Sequence, residues 1–385
     1  MIQMITAYTT EIDEVEDALN EILGQFDLKE LKKNTVGIIT CHLDFVDAGF
    51  IRELCLKLPF NVIGMTTMAS ANQHGYDMYA LSLTVLTSDD VLFETAMTEP
   101  LNLDNYKEKL EKAYSDAVQK LPGRPSLVIT FYPYHTNLSA ALITGALDDI
   151  SEGVPFWGSV ASDTEASNEH SVVFHNSNTG KEGLAMALLY GQVDPEFIVV
   201  SIPPQNIRKD RGQITDSDGC VLKEINGIPA MKYLENLGVM IMKEYSVIMP
   251  LMVYYEGNAV PIATAIYSVN NDGSMLCGTE MTKGALIAVG EITIDGILAT
   301  ADEGMSRLLK CGKQNGALFL PCVTRYVMLT PDHNGELELI ADRLENGKVM
   351  PFMAGYSSGE VCPVRDESGT LRNRFHGFTF SACIL

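Results

Sequence analysis

The chain has 385 residues, about twice the usual single-domain length, so two α/β-sized domains and a large buried core are expected. Hydrophobic residues make up 46% and charged residues 20%, which excludes the disordered and collagen-like classes. With 50 Asp and Glu against 27 Lys and Arg, the net charge of −23 repels phosphate backbones and anionic lipid, so neither nucleic acid nor membrane is an expected partner.

Residues 1–10 have no basic start and no continuous apolar run, and no 18-residue apolar stretch follows, so neither a signal peptide nor a membrane span is expected. After Thr10, which can cap a helix, the apolar residues Ile12, Val15, Leu19, Ile22, Leu23 and Phe26 recur at helical spacing. The runs 35–41, 47–58 and 61–67 then read as strand, helix and strand, a β-α-β unit with parallel pairing. Residues 78–87 alternate as a strand, and 101–121 form an amphipathic helix ended by the turn Pro122-Gly123-Arg124-Pro125. Strands at 127–132, 155–160, 171–175, 183–190 and 196–202, with a helix at 139–150, complete a first half that mixes crossovers with strand runs.

The turn Asn226-Gly227-Ile228-Pro229 feeds a helix, and the domain boundary is placed near residue 230, giving domains 1–230 and 231–385. Beyond it come strands at 261–269, 274–277 and 285–289, a helix at 295–309, a strand at 317–322, a helix before Glu345, and strands at 349–356 and 375–385. The expected fold is mixed α/β: two closely packed domains whose mixed sheets carry helices on their outer faces.

The eight cysteines show no CxxC or zinc-knuckle spacing, so they read as reduced and the location as cytoplasmic. GxGxxG, Walker A and HExxH motifs are absent, and no cofactor is expected. Asp216-Ser217-Asp218-Gly219 reads as a turn, because a calcium loop in that frame would need carboxylates at Ile214 and Ile225. His170 and His175, five apart, fall on opposite faces of a strand and do not suit one metal.

Gly355-Tyr356-Ser357-Ser358-Gly359 satisfies G-x-S-x-G after an apolar strand, but Val361-Cys362-Pro363-Val364 reads as extended where a nucleophile elbow needs a helix. A hydrolase using Ser357, or a thiol-dependent enzyme using Cys322, with His376 as base, is the alternative reading; a protein-interaction scaffold is another. The same glycine-rich loop suits binding better. Beside the strand end that carries Cys322 and Arg325, it makes a receptor for an amino acid or similar zwitterion. Arg325 would clamp a carboxylate and Glu360 an ammonium group, Gly355 and Gly359 would allow close approach, and Tyr356 and Phe375 would wall the pocket, with His376 nearby. Against this stands a plain Arg325–Glu360 ion pair with Cys322 as a small buried hydrophobe.

Several segments together resemble the FIST family, made of a FIST N-terminal and a FIST C-terminal domain. Residues 59–67 are similar to its strand ending in a glycine-rich segment, residues 153–163 to its "vPvvGGlAsD" stretch, residues 183–191 to its small-residue strand, and residues 221–233 to its closing "i.eidG.PA..yl" piece. In the second half Cys322-Val323-Thr324-Arg325 resembles the family's Cys-x-x-Arg strand end, and residues 351–363 its "P..Gfy..GEi.p" signature, followed by Phe375-His376-Gly377-Phe378-Thr379-Phe380. Met65-Thr66-Thr67-Met68-Ala69-Ser70 stands where the family commonly has Cys-Ser-Thr-x-Gly-Glu, and Gly377 where it has asparagine. The resemblance implies a non-enzymatic sensory module of signal transduction that recognises small ligands, with amino acids proposed, and couples to a signalling partner.

Overall fold

The computed structural model describes residues 1–135, 137–164, 168–241, 248–258, 260–347, 350–366 and 368–385. The expected β-α-β unit opens the first sheet: Asn34–Cys41 and Asn61–Thr66 pair in parallel, with Val36 opposite Asn61. The single helix expected between them is two, Leu43–Asp47 and Phe50–Lys57, because Gly49 takes a left-handed φ of 78° that ends one helix and caps the next. Gln3–Thr9, Leu81–Ser88, Val173–His175 and Asn178–Gly180 complete this six-stranded sheet. Ala18, Leu19 and Ile22 of the helix Val15–Gly24, with Phe50 and Leu54, cover its outer face against Leu83 and Val85.

The second sheet runs Leu371–His376, Glu360–Arg365, Phe156–Val160, Leu127–Tyr132, Ala185–Tyr190, Leu92–Met97. The third runs Glu196–Val200, Phe380–Ile384, Ala317–Phe319, Phe352–Gly355, Ser70–Asn72, Gly75–Asp77. A fourth joins Gly212–Asp218 and Val221–Ile225 to Leu251–Tyr254, Ile262–Thr264, Ile266–Val269, Met275–Cys277 and Leu286–Val289. Three of the four sheets thus draw strands from both sides of residue 230, where the sequence changes character, and backbone hydrogen bonding crosses that point repeatedly.

The core follows from this sharing. Met4, Ile38 and Met65 of the first sheet pack on Ile129, Trp157 and Ala187 of the second and on Leu318, Met353 and Cys383 of the third. Trp157 satisfies its indole N–H on Ser381 Oγ at 3.2 Å, as a buried indole must. The helices Tyr106–Val118 and Ala140–Ser151 cover the outer face of the second sheet, and Ile294–Lys310 and Gly335–Gly347 cover the third. The fold is mixed α/β, with helices on the outer faces of mixed sheets.

Several expected elements are shorter or divided. The helix foreseen from residue 101 begins at Tyr106, because Asn102 Oδ1 accepts from the N–H groups of Asp104 and Asn105 and shapes a turn ahead of it. The terminal strand is two, Leu371–His376 and Phe380–Ile384, separated at Phe378, whose φ is 59°. The run 317–322 ends as a strand at Phe319, and Cys322 caps a short helix, Val323–Met328. The strand expected from 349 is seen as Phe352–Gly355, and Val349 lies outside the described residues.

Gly158 sits between the halves. It pairs with Thr130 on one side and Val361 on the other, and a Cβ on it would lie 1.7 Å from the Thr130 carbonyl oxygen, an approach only glycine permits. Gly158→Ala is expected to lower stability by about 3 kcal/mol or more, since the clash is with Thr130 backbone, which cannot swing aside as a side chain would. Urea unfolding checks this, and an unchanged midpoint would contradict it.

Candidate functional site

Two loops from distant parts of the chain meet side by side. Cys322 and Ser357 form a parallel bridge; Val323 N–H donates to Ser357 O at 2.7 Å, and Ser357 N–H to Pro321 O at 3.0 Å. Segments of the first half close over them: Ser358 N–H donates to Val160 O, Met68 N–H to Tyr356 O, and Tyr356 N–H to Ala69 O. Ser162 Oγ also donates to Tyr356 O at 2.8 Å. The stretches near residues 66, 160, 322 and 357, far apart in sequence, are therefore one constellation.

Arg325 does not face it as expected. The side chain is fully buried, and its guanidinium is spent on the protein itself: Nε donates to Glu336 Oε1 at 3.0 Å, Nη1 to Thr300 Oγ1 at 3.0 Å, and Nη2 to Ile297 O at 2.9 Å and again to Glu336. Nη1 also reaches Phe378 O at 3.4 Å. Burial works against the charge, but the Glu336 carboxylate outweighs it and keeps the guanidinium protonated. A ligand carboxylate would have to displace a buried partner, so the clamp foreseen at Arg325 is corrected to an internal ion pair, with Glu336 and not with Glu360. Tyr356 belongs to the same knot, donating its hydroxyl to Glu336 Oε2 at 2.8 Å, and does not wall a pocket. Gly355 packs under Thr40 and Thr67 between the sheets.

A cavity of about 80 Å³ does open beside the two loops, with room for several waters or a small molecule. Cys322, Gly359, Phe375 and His376 line it, joined by Thr324 and Ser358 from the loops, Tyr134 from just past the strand Leu127–Tyr132 and Tyr267 from the fourth sheet. Gly359 is required there. Its φ is 120°, and a Cβ would sit 2.4 Å from the Phe375 ring.

Glu360 lies in the layer beneath, fully buried, with Oε2 accepting from Thr379 and Oε1 without a hydrogen-bond partner. Burial pushes its carboxyl up to about 8, against the opposing pull of the Thr379 hydrogen bonds, the Arg325 charge and the Cys322 thiol. At neutral pH it is therefore largely protonated, which corrects the fixed negative charge foreseen. Ser357 Oγ and Ser358 Oγ are likewise buried without partners.

The same facts weigh against nucleophilic catalysis at either residue. Ser357 Oγ has no base on it, and His376 Nε2–H donates instead to Cys362 O at 3.0 Å, its ring pushed down to about 4 by burial. The Cys322 thiol is pushed up to about 12 by burial and by Glu360, which holds it as the unreactive thiol. Among the described residues no group of three His, Cys, Asp or Glu is placed to hold a metal ion, and no helix is long and apolar enough to cross a membrane.

Tyr134, Tyr267 and Glu336 were not legible from sequence. Each reaches its place through a different sheet or helix, and no local motif marks it. Ser358 and Thr324 did lie inside the quoted motifs.

Two variants test these assignments. Arg325→Ala leaves Glu336 buried and unpaired and is expected to cost about 3–5 kcal/mol, whereas Arg325→Met with Glu336→Leu recovers most of it; equal losses in urea unfolding would contradict the pairing. Because the folded state holds the Glu360 proton more tightly than the unfolded chain, its contribution is full below the ordinary value near 4.5 and is lost as pH rises towards 8. Glu360→Gln should remove that decline, worth on the order of a few kcal/mol between pH 5 and 9. A wild-type-to-variant difference that does not change with pH would contradict it.

Comparison with known proteins supplies the family. The FIST N domain model matches residues 35–228 and the FIST C domain model residues 229–363, and no curated protein matches the chain. The matched regions meet beside the expected boundary and together hold the constellation around Cys322 and Ser357, up to residue 363. On the strength of both matches, the chain belongs to the FIST family, whose domains are associated with sensing in signal transduction.

Proposed function

We propose that the protein is a cytoplasmic, non-catalytic sensor whose small ligand, an amino acid or similar metabolite, occupies the cavity between Cys322 and Phe375 and alters the fit to a signalling partner. One observation carries this reading. Ser358 Oγ, in the cavity wall, is buried without a hydrogen-bond partner, as are Ser357 Oγ, next to it in sequence, and Glu360 Oε1 in the layer beneath. An unsatisfied buried group is costly, and the one in the wall gains a partner when the cavity is occupied. Ser358 and Thr324 would hydrogen-bond the ligand, Tyr134, Tyr267 and Phe375 would enclose it, and Gly359 would allow close approach. All eight cysteines are free thiols, which suits a reducing compartment.

The cavity's position supports a sensory role. Its walls come from the second sheet, the fourth sheet and the short helix Val323–Met328, and at this seam Gly377 N–H donates to Ala263 O at 2.9 Å and Ser139 Oγ to Gly278 O at 3.3 Å. An occupant would bridge the fourth sheet to the rest of the molecule, so binding energy would bias their relative placement.

Thermal unfolding against a panel of amino acids and related metabolites tests the reading. A true ligand at a hundredfold excess over Kd should stabilise by about 2.7 kcal/mol. Ser358→Ala should weaken binding about fivefold, the worth of one neutral hydrogen bond. The Arg325→Met, Glu336→Leu double variant should keep the response. No shift with any compound, or a shift indifferent to Ser358→Ala, would contradict the proposal.

A further inference from the structure

With Arg325 held by Glu336, the cavity beside Cys322 and Ser358 is left without charge: among the described residues no Asp, Glu, Lys or Arg lines it. His376 does, but its ring, donating Nε2–H to Cys362 O at 3.0 Å and pushed down to about 4 by burial, is neutral at pH 7. The Cys322 thiol, pushed up to about 12, and the phenols of Tyr134 and Tyr267, both raised by burial, keep their protons. An ion entering such a wall gives up its water and meets no counter-charge, so charged ligands are disfavoured. Asp163, which accepts from His170 N–H at 2.9 Å, and Glu169 bear on Tyr134 but do not line the cavity. They add to the cost of an anion and offer a cation no direct partner.

What the wall offers is hydroxyls. Those of Tyr134 and Tyr267 have no hydrogen-bond partner among the described residues, and Ser358 Oγ has none either. The Tyr267 ring is partly exposed, but its hydroxyl end stands over Gly278, another residue of the wall, where a Cβ would lie 3.1 Å from the phenol oxygen. After burial, the group that bears most on Tyr267 is Tyr134, followed by Cys322, so the two phenols and the thiol are neighbours. Resting on the sensor reading above, we infer that the ligand is an uncharged molecule whose carbonyl oxygen accepts from the Tyr134 and Tyr267 hydroxyls, a small amide being the simplest and the free zwitterionic amino acid being excluded.

The chemistry of an amide matches the unpartnered groups. Its carbonyl oxygen has two lone pairs for two phenol donors, and its N–H can donate to Ser358 Oγ, while the Phe375 and Phe378 rings take the apolar remainder. The cavity's 80 Å³ has room for about six waters, or for a ligand of about as many non-hydrogen atoms. Tyr134 follows the strand Leu127–Tyr132 of the second sheet, and Tyr267 lies in Ile266–Val269 of the fourth. One oxygen shared by the two phenols would therefore tie those sheets together.

Titration calorimetry on the full chain with butyramide, butyrate, butyramidinium and alanine, which match in size and differ in charge, decides the matter. Butyramide should bind at least about tenfold more tightly than the anion, the cation or the zwitterion, each of which leaves a charge unpaired. Tyr134→Phe and Tyr267→Phe, which keep the rings, should each weaken butyramide about fivefold, the scale of one neutral hydrogen bond, and leave unfolding without ligand nearly unchanged. Alanine, butyrate or butyramidinium binding as tightly as the amide, or either phenylalanine variant binding it as the wild type does, would overturn the uncharged site and leave the sensor reading standing. Binding of none of the four would also overturn it, and only silence across the wider metabolite panel would take the sensor reading with it.

Discussion

The meeting of the loops at Cys322 and Ser357 hangs on a charge pair sealed in the interior. Arg325 and Glu336 expose 2% and 0% of their side chains, and the guanidinium reaches Thr300 and Ile297 on one helix, Glu336 on another and Phe378 in the turn before the last strand. A buried pair of this kind adds little net stability over an apolar packing, but it tolerates few geometries, since each polar atom must keep its partner. With Tyr356 on the same carboxylate, it pins Cys322, three residues before Arg325, and Ser357, next to Tyr356, in one place. Its work is architectural, and that frees the adjoining cavity to be shaped by other groups.

Those groups are mostly neutral. Hydroxyls of Ser358, Thr324, Tyr134 and Tyr267 and the ring of Phe375 give the cavity a wall without a strong local charge, over a carboxyl that burial keeps protonated. The cavity lies where sheets share strands from both halves of the chain, so under the proposed function an occupant would touch elements whose relative placement it could bias.

Much of the fold was legible because periodicity and turns are local. The stripe from Ile12 to Phe26 and the apolar runs at Asn34–Cys41 and Asn61–Thr66 foretold a covered parallel pair. Ser70–Asn72 and Gly75–Asp77 escaped, being three residues long and polar, and they are strands only because Phe352–Gly355 offers an edge. The meeting of the loops at Cys322 and Ser357 was a condition of the binding reading and not something the motifs themselves show. What Arg325 would hold was not foreseen, because Glu336 looks like any acid in the first turn of a helix and only tertiary packing seals it against a guanidinium 11 residues away. Spacing shows which residues are neighbours in the chain; the partner of a buried charge is chosen in three dimensions.

The most direct test of the sensor reading is a crystal structure of the protein with a ligand that raises its unfolding temperature. Density is expected between Cys322, Ser358 and Phe375, with the Arg325 guanidinium still on Glu336. Density elsewhere, or Arg325 turned out of the interior to meet the ligand, would contradict that reading.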